Sequence, residues 1–158
     1  MQKITPFLWL DNQAEDAANF YVSLFKSAKI HNVSRYPEGA PGPAGTAMVV
    51  DFELEGQRIQ ILNGGPHFKL SEAFSFSVIC EDQAEVDKLW NAMTKDGGEE
   101  SQCGWLKDKF GVSWQIVPKK LLELQSQKDA KKAAATTQAV LKMRKLDIAE
   151  LERASAAA

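Results

Sequence analysis

At 158 residues, 44% of them hydrophobic, the chain is long enough to bury one core and too short for two full domains. A net charge of −2 and a pI near 5.7 give neither nucleic acid nor an anionic membrane a global electrostatic reason to bind. Its apolar runs fall far short of the roughly 20 residues of a membrane span, and the opening MQKITPFLWLD lacks a signal peptide's cationic head and small-residue cleavage site, so a cytoplasmic protein is expected.

Taken in chain order, ITPFLWL (4–10) reads as a strand that turns at Asp11 and Asn12 into a helix, QAEDAANFYVSLF (13–25). Ala14, Ala17, Ala18, Tyr21, Leu24 and Phe25 recur there at helical spacing. KIHNVSRY (29–36) is a strand, PEGAPGPAG (37–45) is a loop dense in glycine and proline, and TAMVVDFELE and QRIQILN are strands joined around Gly56. The second half opens with the strand FSFSVICED (74–82). A helix over 83–98 follows, with Ala84, Val86, Leu89, Trp90 and Met93 toward the core and Gly97 and Gly98 as its stop. GEESQCGWLKD and GVSWQIVP supply more strand. From about Lys119 the chain is helical by composition, and Asp147 with Glu150 forms a capping box for a last helix, DIAELERA. The two cysteines, Cys80 and Cys103, have no zinc-site spacing and are too few for a disulfide framework, which leaves two reduced thiols.

The halves echo one another. QAE occurs at 13–15 and 83–85, each time after an apolar run that ends in an acid-containing turn. Gln60-Ile61-Leu62 and Gln115-Ile116-Val117 close the corresponding strands. The offset falls from 70 to 55 because the second half lacks a loop as long as PEGAPGPAG and has shorter strands. The chain therefore reads as two consecutive strand-helix-strand-strand-strand modules.

ITPFLW, the helix ending NFYVSLF, LNGGPHF (62–68), FSFSVICEDQAEVDKLW, CGWLKDKFGVSWQIVP and the tail motif LKMRKLDIAELE span nearly the whole chain. On these residues the sequence resembles the PhnB-like branch of the glyoxalase, or vicinal oxygen chelate, superfamily, a branch often called demethylubiquinone methyltransferase. The resemblance implies a single α+β glyoxalase-like domain over 1–158: a βαβββ module over about 1–66, a second over about 70–118, and a C-terminal helical extension over about 119–158. It also implies a homodimer. A methyltransferase ordinarily shows a glycine-rich loop between a first strand and a helix; LNGGPHF follows a strand but lacks that spacing and an adequate following helix.

In metal-dependent members each module supplies two ligands, one from its first strand and one from its fourth. The repeat offsets carry those positions to Thr5 and Ser75, and to Gln60 and Gln115. None is a His, Asp or Glu, and four neutral groups leave a divalent ion's charge uncompensated, so no metal or other cofactor is expected and a divalent ion is disfavoured. By alternation Phe7 and Trp9 share a face with Thr5, while Ser77 and Ile79 share one with Ser75. Aromatic and aliphatic walls with a few hydrogen-bonding groups suit a small-molecule pocket; alternatively Gln60 and Gln115 satisfy one another in a filled core.

His67 is the candidate acid or base, since glycines and a proline fix its loop, and Cys103 is a candidate nucleophile if the fold brings His67 to its sulfur. His31 ranks below it. Lys107 and Asp108 either bridge a hairpin or close over an anionic ligand, and Trp105 and Trp114 read as core, Trp114 on the strand face opposite Gln115. The basic run Lys128–Lys145 has no interleaved aromatics and reads as a solvated helix face, whose apolar side, with Val140, Met143 and Leu146, packs on the sheet or on a second subunit. The leading expectation is a metal-independent homodimer that binds a small, partly apolar molecule. An enzyme of the same fold (lyase, isomerase, transferase or resistance enzyme), metal-assisted or using His67 and Cys103, is the first alternative; a structural or partner-binding dimer is the second.

Overall fold

The computed structural model describes residues 2–158. Residues 1–70 and 71–158 form two compact units.

The first unit contains β1 (Phe7–Leu10), α1 (Ala14–Leu24), β2 (Ala28–Arg35), β3 (Ala47–Leu54) and β4 (Gln57–Asn63). They make a sheet in the order β1-β4-β3-β2, with β1 parallel to β4 and the other pairs antiparallel. One face of this sheet is buried: Leu8 and Leu10, Val50, Phe52 and Leu54, and Ile59 and Ile61. Alanines at 14, 17 and 18, all fully buried, let α1 lie close on the sheet, and Tyr21 stacks on Phe52 with ring centroids 6.2 Å apart. β3 and β4 meet through Glu55 (φ 47°) and Gly56 (φ 85°), the left-handed pair that a tight hairpin requires. β1 starts at Phe7 rather than Ile4, because Pro6 has no N–H to donate, although its carbonyl still accepts from Gln60 N at 3.0 Å.

The second unit repeats the wiring with shorter strands. β5 (Phe76–Cys80), α2 (Gln83–Met93), β6 (Glu99–Glu100), β7 (Trp105–Lys107) and β8 (Ser113–Pro118) pair in the order β5-β8-β7-β6, again with the first strand parallel to the last. Val86, Leu89, Trp90 and Met93 are buried on the helix, and Leu106, Trp114 and Ile116 on the sheet. Ala84, expected in this core, is exposed on the first turn. The helix ends at Met93, short of the glycines, and Gly98 is needed beyond it because a Cβ there would sit 2.1 Å from the Met93 carbonyl.

The tail is three helices, α3 (Lys119–Gln125), α4 (Ala130–Val140) and α5 (Ile148–Ala156), closed around Leu121, Val140, Leu146 and Leu151. Asp147 caps α5 by accepting from Glu150 N at 2.9 Å. The tail is tied to its own module. Cys103 N and Gly104 N donate to the carbonyls of Met143 and Arg144 at 2.8 and 2.7 Å. Gln83 gives its amide to Leu146 O at 3.1 Å and accepts from Ile148 N at 2.8 Å. No helix among the described residues is long and apolar enough to cross a membrane.

Candidate functional site

With one face of each sheet buried against its helix, alternation turns the other set of side chains to the open face. In module one Phe7 lies in register with Gln60, and Gln60 with Asp51. In module two Ser77 lies in register with Gln115, and Gln115 with Trp105. The two glutamines therefore occupy one equivalent node, on the last strand of each sheet, as the sequence repeat implies. Thr5 and Ser75, the carried-over first-strand positions, each stand before their strands and out of register with the glutamines, although the Ser75 hydroxyl still reaches Gln115. The immediate neighbours are Phe7 and Ser77.

Module one's open face is charged. Arg58 grips Asp51 through both carboxylate oxygens, Nε to Oδ1 at 3.0 Å and Nη2 to Oδ2. These bonds, followed by Arg58's charge and a smaller contribution from Gln60, hold the Asp51 carboxyl below the usual carboxylate range against the opposing effect of burial. His31 Nε2 lies 2.8 Å from Glu53 Oε2, and that contact lowers the Glu53 carboxyl. Phe7 is 54% exposed. Trp9 is pinned by its Nε1, which donates to Gly65 O at 2.9 Å; a Cβ on Gly64 would lie 2.3 Å from its ring. Asp51, Arg58 and Glu53 are site residues beyond the sequence candidates; alternation alone puts the two acids on one face of an apolar strand, while the register that brings Arg58 to them shows only in the fold.

Module two's open face is neutral at its node. Gln115 Nε2 donates to Ser75 Oγ at 3.0 Å, which leaves its second N–H and its carbonyl for other partners. Ser77 and Ile79 stand on the same face, the latter 46% exposed, and Trp105 flanks Gln115 from β7. Each glutamine thus has a polar neighbour within its own module. Trp114 is buried on the opposite face, and its Nε1 donates to Asp108 Oδ2 at 2.8 Å. Asp108, 2% exposed, also accepts from Phe110 N and Val112 N at 2.9 and 3.0 Å, so it is the knot of the β7–β8 hairpin. Lys107 pairs with Glu72 at 2.8 Å.

His67 is exposed in a turn after β4 and lines a cleft of about 560 Å³ with Asp11, Asn12, Tyr36 and Pro41. Tyr36 braces that cleft by donating its hydroxyl to Asn63 O at 2.5 Å. Cys103 adopts φ 60° in the turn before β7 and packs against the tail cluster, so its position serves the attachment of the tail. Burial pushes the Cys80 thiol up to about 12, which leaves it unreactive at neutral pH.

The chain matches the family model described as 3-demethylubiquinone-9 3-methyltransferase over residues 2–117. It belongs to that family. It is similar to a 3-demethylubiquinone-9 3-methyltransferase-like PhnB protein from Bacillus cereus, with 36% identity, a TM-score of 0.69, and coverage of 74% of this chain and 99% of that one. Protein PA1353 from Pseudomonas aeruginosa shares the fold at 19% identity and a TM-score of 0.61, covering 75% of this chain and 98% of its own. A glyoxalase/bleomycin resistance protein from Albidiferax ferrireducens also aligns, at 12% identity and a TM-score of 0.47, over 70% of this chain and 92% of that one. No curated protein matches the chain.

The superfamily arrangement implies a divalent ion held by first and last strands. The residues here do not fit it. Thr5, Gln60, Ser75 and Gln115 bring no negative charge, and Asp51 has both oxygens on Arg58. Among the described residues no group of three or more His, Cys, Asp or Glu is placed to hold a metal ion.

Proposed function

We propose that this PhnB-like protein binds a small, partly apolar molecule on the open sheet faces of its modules, without the superfamily's metal. The observation that carries the reading is the node at Gln115: a carboxamide with hydrogen-bonding capacity to spare, set among Ser75, Ser77, Trp105 and a half-exposed Ile79. Apolar walls with a few directional polar groups are the usual make-up of a small-molecule site. The residues that would act are Gln60 with Phe7 and Trp9 in module one, Thr5 at its edge, and Gln115 with Ser75 and Ser77 in module two. Phe7 and Ile79 exposed on sheet faces support a homodimer in which a second copy shields these surfaces, and two unpaired cysteines support a reducing, cytoplasmic setting.

A thermal-shift screen of small metabolites tests the reading. A compound that raises the melting temperature of the wild type and not of Gln115→Leu supports it. A library in which nothing shifts the wild type favours the structural, filled-cup alternative. Stoichiometric Zn, Ni, Mn or Fe retained through purification without chelator or affinity tag would overturn the metal-free part. Light scattering reads the dimer, which Phe7→Glu should weaken. The cleft beside His67 favours a second reading, an enzyme using that imidazole as acid or base. Turnover of a screening hit abolished by His67→Gln, with binding retained, would establish it.

A further inference from the structure

Ser113 is 3% exposed at the start of β8, and its Oγ has no hydrogen-bond partner among the described residues. A buried hydroxyl in that state costs stability, and such groups are rare enough in folded proteins that each calls for an explanation. Its surroundings supply one. Ser113 lies two residues before Gln115 on the same strand face, just as Ser75 lies two residues before Ser77, the register partner of Gln115. By donating to Ser75 rather than toward Ser77, the Gln115 carboxamide leans back along the sheet into the row that Ser113 occupies. Ser113's cross-strand partner on the other side is Lys107, whose ammonium is held away by Glu72 at 2.8 Å. Three neutral polar groups converge there, with one hydroxyl and one amide N–H still to be used.

We propose that Ser113 is the polar end of the binding site: its hydroxyl and the second N–H of Gln115 hold an uncharged oxygen acceptor, a carbonyl or hydroxyl, of a molecule whose apolar body lies along Trp105 and Ile79. This assignment rests on the small-molecule reading of the Gln115 node and adds the ligand's chemical class. A carboxylate suits the place less well, because the nearest cation already has its counter-ion in Glu72. Lys107, cross-strand from Ser113, is tied only by an exposed ion pair with Glu72, which water and salt weaken.

The test uses the full chain, Ser113→Ala, Gln115→Leu, and three probes: acetophenone, benzoate and ethylbenzene, followed by amide NMR titration, with calorimetry on the unliganded proteins. Unliganded Ser113→Ala should melt at or above the wild-type temperature, since the change removes an unpaired buried hydroxyl. Acetophenone should move module-two amide signals in the wild type and bind about three- to tenfold more weakly to Ser113→Ala, the loss expected for one hydrogen bond. Its advantage over ethylbenzene should vanish in that variant. A clear fall in the melting temperature of Ser113→Ala would mean that the hydroxyl has a protein or water partner, and would overturn the assignment. So would equal binding of acetophenone by Ser113→Ala, tighter binding of benzoate than acetophenone, or no module-two response to any probe. Acetophenone binding lost in Gln115→Leu but kept in Ser113→Ala defeats Ser113 alone. The wider reading falls only if the metabolite screen is also blank.

Discussion

In module one Gln60 sits between Phe7 and Asp51; in module two Gln115 occupies the same node between Ser77 and Trp105. Strand order, parallel pairing and the register at the node agree, so what differs there is what hangs on the strands. The first node is bordered by charges already committed to one another, Asp51 to Arg58 and Glu53 to His31. The second is bordered by hydroxyls and an amide that keep bonding capacity to spare. A duplicated backbone fixes where side chains converge and leaves their chemistry free to diverge. The modules also differ in how their hairpins are held: module one turns on Glu55-Gly56, whereas module two is knotted by the buried Asp108 and anchored to a tail.

The largest effect should come from cutting that knot. Asp108→Ala strands two backbone N–H groups and the Trp114 indole in a buried site and should cost about 3–4 kcal/mol of stability, read as a lower denaturant midpoint. Asp108→Asn, which keeps an acceptor for the backbone, should cost distinctly less. Equal losses would mean that the backbone bonds contribute little. A smaller loss, about 1–2 kcal/mol, is expected from Gly104→Ala: Gly104 has φ +84°, and its added Cβ would sit 3.0 Å from Leu146 at the seam between the β7 turn and the tail. Hydrogen exchange should then rise in α4 and α5 and leave the strands of module one unchanged; a uniform rise would contradict a loss confined to the seam.

Much of the architecture was legible beforehand because it depends on periodicity, and the two QAE motifs do fall at the starts of α1 and α2. They do different work there. Gln83 clamps the tail, while at α1 the Ala14 N–H is met by Asn63 Oδ1 at 2.8 Å, a partner 49 residues away. The nodes at Gln60 and Gln115 were legible for the same reason, since the repeat pairs them. Hidden from sequence were relations fixed by register: Arg58 opposite Glu53 and diagonal to Asp51, Lys107 opposite Ser113, and Phe7 rather than Thr5 in register with Gln60. A one-residue slip exchanges the faces of a strand, and nothing in composition fixes register that closely. Composition makes the tail helical, but its division into three segments follows from caps such as Asp129, which accepts from Lys131 N and Lys132 N, and from the cluster they fold around.

The smallest effect separates the two faces by pH. Asp51's carboxyl is depressed chiefly by hydrogen bonds from Arg58. A group whose folded value lies below its unfolded value of about 3.9 contributes stability that is present above that value and lost as pH falls through the folded one. Glu53, held down by His31, acts in the same direction. Module two's node has no titrating group, and the carboxylates depressed elsewhere in that unit, Glu72, Asp87 and Glu123, are 41–66% exposed, so water and salt screen them. As pH falls from 5 toward 2, amide protection in β3 and β4 should therefore decline, and Asp51→Asn should flatten that decline while lowering protection there at neutral pH. An unchanged acid profile in Asp51→Asn would mean that Arg58 is equally well satisfied by water, and the charged face of module one would then be a surface ornament rather than part of what holds its strands together.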